Sequence, residues 1–342
     1  MTYNWKIKAL KTSLILIVIG IALGMVCLTV GSRFYGLGAV ITSLRSHEDS
    51  TIKTIIWQLR FPRMIMAFEV GAALALSGLA LQSLLRNPLV DPYLIGASSG
   101  AAFGAALVLV FVPTGISIAI MGLGFKVALS LMAFSGALAA IAFLYVSSYR
   151  RGDFSTKRLV LMGVVLGAFL SSLVALLIIL RGESLRQVVL WLMGSLEIAP
   201  KGGWKILGLI LILGWFFLFS RSYRLNLLSQ GEMVAKGLGV NVGNLKRDVL
   251  IMSAILTASA VSMSGVIGFV GLIVPHFFRM IHGPDNRVLI PITGLGGGIL
   301  LMAADILARP ALHAGEIPIG IITTILGAPF FWFVLRTPAG ER

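Results

Sequence analysis

Apolar runs long enough to cross a membrane follow one another along nearly the whole chain, separated by short polar gaps. Lys6, Lys8 and Lys11 precede the first run, at 12–31. A signal-peptide core is only about 7 to 15 residues long, and no small-x-small cleavage site follows. An uncleaved first span with a cytoplasmic N-terminus is therefore expected. A polar outer segment, 32–60, leads to Arg60-Phe-Pro-Arg63 and a second span reaching residue 86. Further spans are predicted over 92–112, 126–146 and 158–180. The turns between them, 87–91 and 149–157, lie inside. Arg150, Arg151, Lys157 and Arg158 mark the second turn, a strong inside signal.

After Leu180 the stretch RGESLRQVVLWLMGSL is amphipathic and reads as a short helix along the outer surface. A sixth span covers 204–219, and the longest polar inner segment, 221–247, follows. The remaining spans run to 264 and then over 268–280, 288–307 and 317–335, returning the C-terminus inside. The fold class is an all-α polytopic membrane protein of about ten helices, one transmembrane domain over 1–342.

Composition agrees. Of 342 residues, 58% are hydrophobic and 12% charged, against about 25% charged in soluble domains. The net charge of +15 is spread through the polar gaps instead of forming one basic face, which sets orientation and does not mark a nucleic-acid binder. The inside bias is modest, because Arg45, Lys53, Arg60 and Arg63 fall outside. Those outward charges need a reason of their own. A single cysteine, Cys27, excludes an intrachain disulfide, and His47, His276, His282 and His313 are too scattered for a metal site.

Two stretches correspond. SGLALQSLLRNP at 77–88 and SGVIGFVGLIVP at 264–275 each place a proline ten positions after a Ser-Gly glycine, and Arg60 and Arg247 each lie 17 positions before the serine. Related halves, about 57–180 and 221–336, are expected, a common way to build transporters. Glycines at four-residue spacing (Gly96, Gly100 and Gly104; Gly163 and Gly167; Gly294 and Gly298) mark close helix contacts, since lipid supplies no hydrophobic force between helices.

No catalytic constellation is present. Gly-Lys never occurs, so there is no Walker A loop, and HExxH and CxxC are absent. Intramembrane acids are few. Glu69 is expected to pair with an arginine near the headgroups, and Asp305 with Arg309 four residues later. His276, after the helix-distorting Pro275, is expected to hydrogen-bond a freed carbonyl. The inner segment 227–240, LLSQGEMVAKGLGV, is flanked by Gly231, Gly237 and Gly239. It suits either two short helices forming a cytoplasmic knob for a partner or an ordinary connecting loop.

GEMVAKGLGV, SGVIGFVGLIVPHFFR, GPDNR, ADILAR and EIPIGIITTILGAPFF, with RFPR, GAALALSGLALQSLLRNPLVDPYLIGASSGA, RLVLMG and WLMGSL in the first half, resemble the permease subunits of the FecCD family. These belong to type II ABC importers for ferric siderophores, haem and cobalamin. The resemblance implies a dimer of permeases in the inner membrane, homologous or identical, two cytoplasmic ATPase subunits, and a periplasmic or lipid-anchored binding protein. It implies no catalytic residue, cofactor or resident metal in this chain.

It further implies that Arg60, Arg63 and Arg309 receive carboxylates of the binding protein. The segment Gly231, Glu232, Ala235, Lys236, Gly237, Leu238 and Gly239 would be the ATPase-coupling helices. Ser155, Thr156 and Lys157 would form the cytoplasmic gate, although a cobalamin permease of the family has a small serine where this chain has Lys157. Gly163, Gly167, Ser171 and Ser172 of the fifth span, and Thr323, Thr324 and Gly327 of the tenth, would line the pathway. Such a bland wall suits a large chelate, with a ferric siderophore the first expectation and cobalamin or haem the alternatives. A secondary transporter would instead need intramembrane coupling charges, and a membrane enzyme would need a polar cluster at one depth.

Overall fold

The computed structural model describes residues 5–31, 34–45, 51–112, 124–150, 153–154, 156–180, 185–309 and 316–336. The chain runs α1 (Trp5–Thr29), α2 (Leu37–Arg45), α3 (Thr51–Thr54), a π-helical stretch (Ile55–Arg60) and α4 (Phe61–Leu85). A 3-10 turn (Pro92–Ile95), α5 (Ala97–Phe111) and α6 (Phe125–Ser148) follow. Then come a ladder of β1 (Tyr149–Arg150) with β2 (Asp153–Phe154), α7 (Thr156–Leu180), α8 (Leu185–Leu192) and a 3-10 turn (Leu196–Ile198). The last elements are α9 (Gly203–Ser229), α10 (Glu232–Gly237), α11 (Val242–Ser264), α12 (Val270–His282), α13 (Asn286–Ala308) and α14 (Ile319–Arg336). Among the described residues seven helices are long and apolar enough to cross a membrane, and three shorter apolar helices accompany them.

The expected spans fall on these helices, with two differences. The second is not preceded by a loop up to Arg60, because helix continues from Thr51 through Leu85. Pro62 sits where the π-helical stretch passes into α4. The inner segment is also mostly helix: α9 runs to Ser229 and α11 starts at Val242, leaving the one short helix α10 instead of two. Asn241 caps α11 by accepting from the Asn244 amide, and Asp285 caps α13 through the Arg287 amide.

Helix α4 is the hub. From Met66 to Leu85 nearly every residue is buried, against α13, α11, α9 and α12. Glycine decides how closely these neighbours approach. A methyl at Gly71 would collide with the Gly297 carbonyl of α13, and one at Gly78 with the Gly271 carbonyl of α12. Gly100 and Gly104 of α5 likewise lie on Gly136 and the Met132 carbonyl of α6, whereas Gly96 caps α5 at φ +73°. Ser77 donates to the Ser253 carbonyl and pairs with Thr257 at 2.6 Å, tying α4 to α11. The two Ser-Gly pairs adopt different local structures. Ser77-Gly78 is mid-helix, while Ser264-Gly265 ends α11 and leads into an irregular turn where Phe269 adopts φ +69°.

Three chain breaks meet at one end of the bundle. The Ser195 amide donates to the Ser264 carbonyl, Ile319 to Gly194 and Gly320 to Met193. Gly194, Gly265 and Gly320 stand where any side chain would strike a carbonyl of an adjoining break. Here irregular backbone satisfies itself inside protein, as a membrane demands.

Gly78→Ala is expected to cost about 1–3 kcal/mol through overpacking, read as a lower melting temperature in detergent. Gly36→Ala, with open space around it, should leave the melt unchanged.

Candidate functional site

The chemistry-bearing residues collect at the two ends of α4. At its start the structure brings Arg60, Arg63 and Arg309 together, yet each guanidinium is engaged within the chain. Arg60 donates to the carbonyls of Leu28 and Thr29, both at 2.8 Å, satisfying the open C-terminus of α1. Arg63 spans two carboxylates. Its Nε and Nη2 reach Asp305 Oδ1 at 3.0 and 2.8 Å, and Nη1 and Nη2 reach Glu316 at 2.9 and 2.6 Å. Glu197 stands 3.6 Å away. Arg309 takes the other Asp305 oxygen and donates to the Cys27 and Val30 carbonyls.

Three arginines thus face three carboxylates. The expected pairing of Asp305 with Arg309 is present, but the free outward positive charge is not. Arg60 and Arg309 are buried, and only Glu197 and Glu316 give the cluster substantial exposure, at 68% and 37% of the side chain. One Asp305 carboxylate, wholly buried, serves both α4 and α13.

Glu69 departs from expectation, since among the described residues it makes no ion pair. Its Oε2 is buried without a hydrogen-bond partner, and Oε1 lies against Gly208 of α9. Arg63, six positions earlier, spends its donors on Asp305 and Glu316. His276 is likewise not what answers the proline. Pro275 cannot donate to the Gly271 carbonyl, and Gln82 Nε2 of α4 takes it at 3.3 Å together with the Leu272 carbonyl. Gln82 in turn accepts from Arg279 at 3.0 Å. Sequence distance hid this network, for Gln82 and Gly271 are 189 positions apart. Among the described residues no group of three His, Cys, Asp or Glu could hold a metal ion.

At the other end, α10 projects between glycine pivots, Gly231 at φ +129° and Gly239 at φ +80°. Met233, Val234 and Leu238 are exposed, Met233 at 81%, and Lys236 and Gly237 are exposed with them. Ala235 faces inward, fully buried. Glu232, in the first turn, forms an ion pair of 2.7 Å with Lys246 of α11. Behind this knob the Asn226 amide donates to Asp285, while its oxygen accepts from the Asn286 backbone and side-chain amides. Ser83 of α4 donates to Asn286, and Arg287 forks Asp285 and stacks on Trp5 of α1. Burial opposes ionisation of Asp285, but hydrogen bonds from Arg287 and Asn226 outweigh it and hold the carboxyl below its ordinary range.

Of the gate residues, Ser155 lies outside the described residues, and Thr156 and Lys157 open α7. The pathway residues divide. Ser171, Ser172 and Thr324 are on exposed faces, with the Ser172 hydroxyl on the Ala168 carbonyl and that of Thr324 on Gly320. Gly167 lies against the Ser99 hydroxyl. Gly163, Thr323 and Gly327 are buried in the chain, Gly327 under the Phe269 ring.

The FecCD transport family model matches residues 14–337. The chain is 39% identical to a cobalamin import system permease protein of Halobacterium salinarum, covering 87% of this chain and 78% of the relative. It is 38% identical to a hemin transport system permease protein of Yersinia pestis, covering 91% and 93%. A solved structure of an inward-facing putative metal-chelate type ABC transporter superposes with a TM-score of 0.81 at 34% identity, over 96% of this chain and all of the other.

Arg63→Glu is expected to destabilise the chain by about 3–5 kcal/mol, because it leaves buried charge uncompensated. Size-exclusion profiles and melts in detergent would show it, and Glu197→Gln should leave both unchanged. The lowered Asp285 carboxyl adds stability above its unfolded value near 3.8, lost as pH falls through the folded value. Asp285→Asn should therefore flatten the acid limb of a stability profile.

Proposed function

Because the chain belongs to the FecCD transport family, we propose that it carries an iron(III)-siderophore or a related metal chelate through the inner membrane by alternating access. It is a membrane-embedded permease of an ABC importer, a transport component and not an enzyme, and such permeases work with an ATPase and a substrate-binding protein. The two ATPase subunits, the second permease and cytoplasmic termini complete the reading.

The observation that carries it is the α10 knob, an exposed apolar tip of Met233 and Leu238 between glycine pivots. Exposed apolar side chains on so polar a segment suit a docking surface, and here it is the contact with the ATPase. Uptake driven by ion coupling would not need it. The opposite end receives the binding protein. Its carboxylates replace those of Glu316 and Glu197 at Arg63, whose planar fork matches an incoming carboxylate. Exchange of one carboxylate for another keeps the cluster neutral throughout.

A large chelate as cargo is supported by the exposed faces of α7 and α14, which carry hydroxyls satisfied by their own helices. A dehydrated ion would need fixed charges or aligned carbonyls instead. Among the relatives, cobalamin and hemin permeases stand about equally near, so both cargoes are the alternatives to a ferric siderophore. Ser155, Thr156 and Lys157 form the cytoplasmic gate at the start of α7.

Vesicles holding the chain with its ATPase and binding protein should accumulate radiolabelled ferric siderophore only with ATP. Accumulation of cobalamin or haemin in its place would correct the cargo alone, and uptake without ATPase would overturn the ABC reading. Leu238→Asp should cut co-purification of the ATPase by about tenfold or more, because a desolvated apolar contact at an interface centre contributes on the order of 1–2 kcal/mol or more.

A further inference from the structure

We propose that the Glu232–Lys246 ion pair is the joint through which α10 drives α11, making Lys246 a positioning residue for energy coupling. This rests on α10 being the ATPase contact. Four observations carry it.

The first is burial. Lys246 is only 4% exposed, and its ammonium lies 2.7 Å from the Glu232 carboxylate. Parting a buried ammonium from a carboxylate at this distance is costly. When Glu232 moves, Lys246 follows.

The second is what surrounds the pair. The backbone on both sides of α10 turns through glycines at positive φ, Gly231 and Gly239, and α10 buries one residue, Ala235. Soft backbone pivots flank one short, stiff electrostatic contact. A push on Met233 or Leu238 therefore reaches α11 through that contact, alongside the packing of α10 on α9.

The third is the lever. Helix α11 runs from Val242 to Ser264 without a proline, about 34 Å at 1.5 Å per residue. Lys246 stands one turn from its start. Along its length it packs on α4, α6 and α9 and is bonded to α4 through Ser77, so a push at its start is carried along its axis and into the hub.

The fourth is where the rod ends. The Ser264 carbonyl accepts from the Ser195 amide, and Gly265 lies against the Trp191 carbonyl. Gly194 and Met193, in the same turn, hold the first amides of α14. Displacing α11 along its axis thus pulls on the start of α14, a helix with an exposed face in the proposed pathway. A merely local staple would hold α10 in place and have no such connection. The Arg221–Asp248 pair, 3.5 Å long, keeps α9 beside α11 and so preserves the rod's bearing.

The test uses the complete transporter, with ATPase and binding protein, in liposomes. Lys246→Met removes the joint, and Lys246→Arg keeps both charge and hydrogen bond. In Lys246→Met, cargo delivered per ATP should fall about tenfold, the scale of a typical coupling free energy, with KM for ATP unchanged. Lys246→Arg should recover most of the delivery. Full coupling in Lys246→Met, or equal loss in both variants, overturns the joint. If Lys246→Met does not assemble, Glu232→Gln with Lys246→Met, which leaves no buried charge, decides instead: lost coupling supports the joint and intact coupling overturns it. Failure of the wild type to assemble with an ATPase would instead overturn the reading of α10 itself.

Discussion

Close backbone contact at α4 is the constraint on which this structure depends. In lipid, side-chain burial gives helices no reason to associate, so contact must come from dispersion and hydrogen bonds at short range. Gly71 and Gly78 provide it by letting α13 and α12 approach to backbone distance. That approach in turn brings Gln82 onto the carbonyl freed by Pro275 and Ser77 onto α11. The polar bonds of the hub form across distances that glycine spacing has already set.

With the hub fixed, chemistry is left to the ends. At one end charge is balanced within the chain, arginine against carboxylate. At the other an apolar tip is left uncovered. The first can exchange partners without a change in net charge, and the second can only gain by being covered. That difference suits a surface visited transiently and a surface held more firmly.

The spans were legible in the sequence because apolar run length is a one-dimensional property. Small-residue spacing likewise gave the α5–α6 contact at Gly100 and Gly104, and i,i+4 spacing gave Asp305 with Arg309. What was hidden required knowing which distant residues meet. Arg63 has no carboxylate four positions away; its partners are 242 and 253 positions on. Arg60, Arg63 and Arg309 meet at one end of the bundle, but their intrachain partners could not be read from the sequence. Glu69 was assigned an arginine that had already found other acids. In the inner segment, polar composition concealed the helical continuity of α9, whose last turns run on to Ser229. The Lys246–Glu232 pair, 14 positions apart, was out of reach of any helical spacing rule.

Cys27 has a practical consequence. It is the only thiol in the sequence, and it lies fully buried beneath α13, with its sulfur 4.0 Å from the Met302 carbonyl. A water-soluble maleimide therefore has no native target in the folded chain. Cysteines introduced at exposed positions on α10 and beside the arginine cluster would be the only reactive ones. Spin labels or fluorophores placed there could report the distance between the two ends of the bundle through a transport cycle, with the wild-type core left untouched.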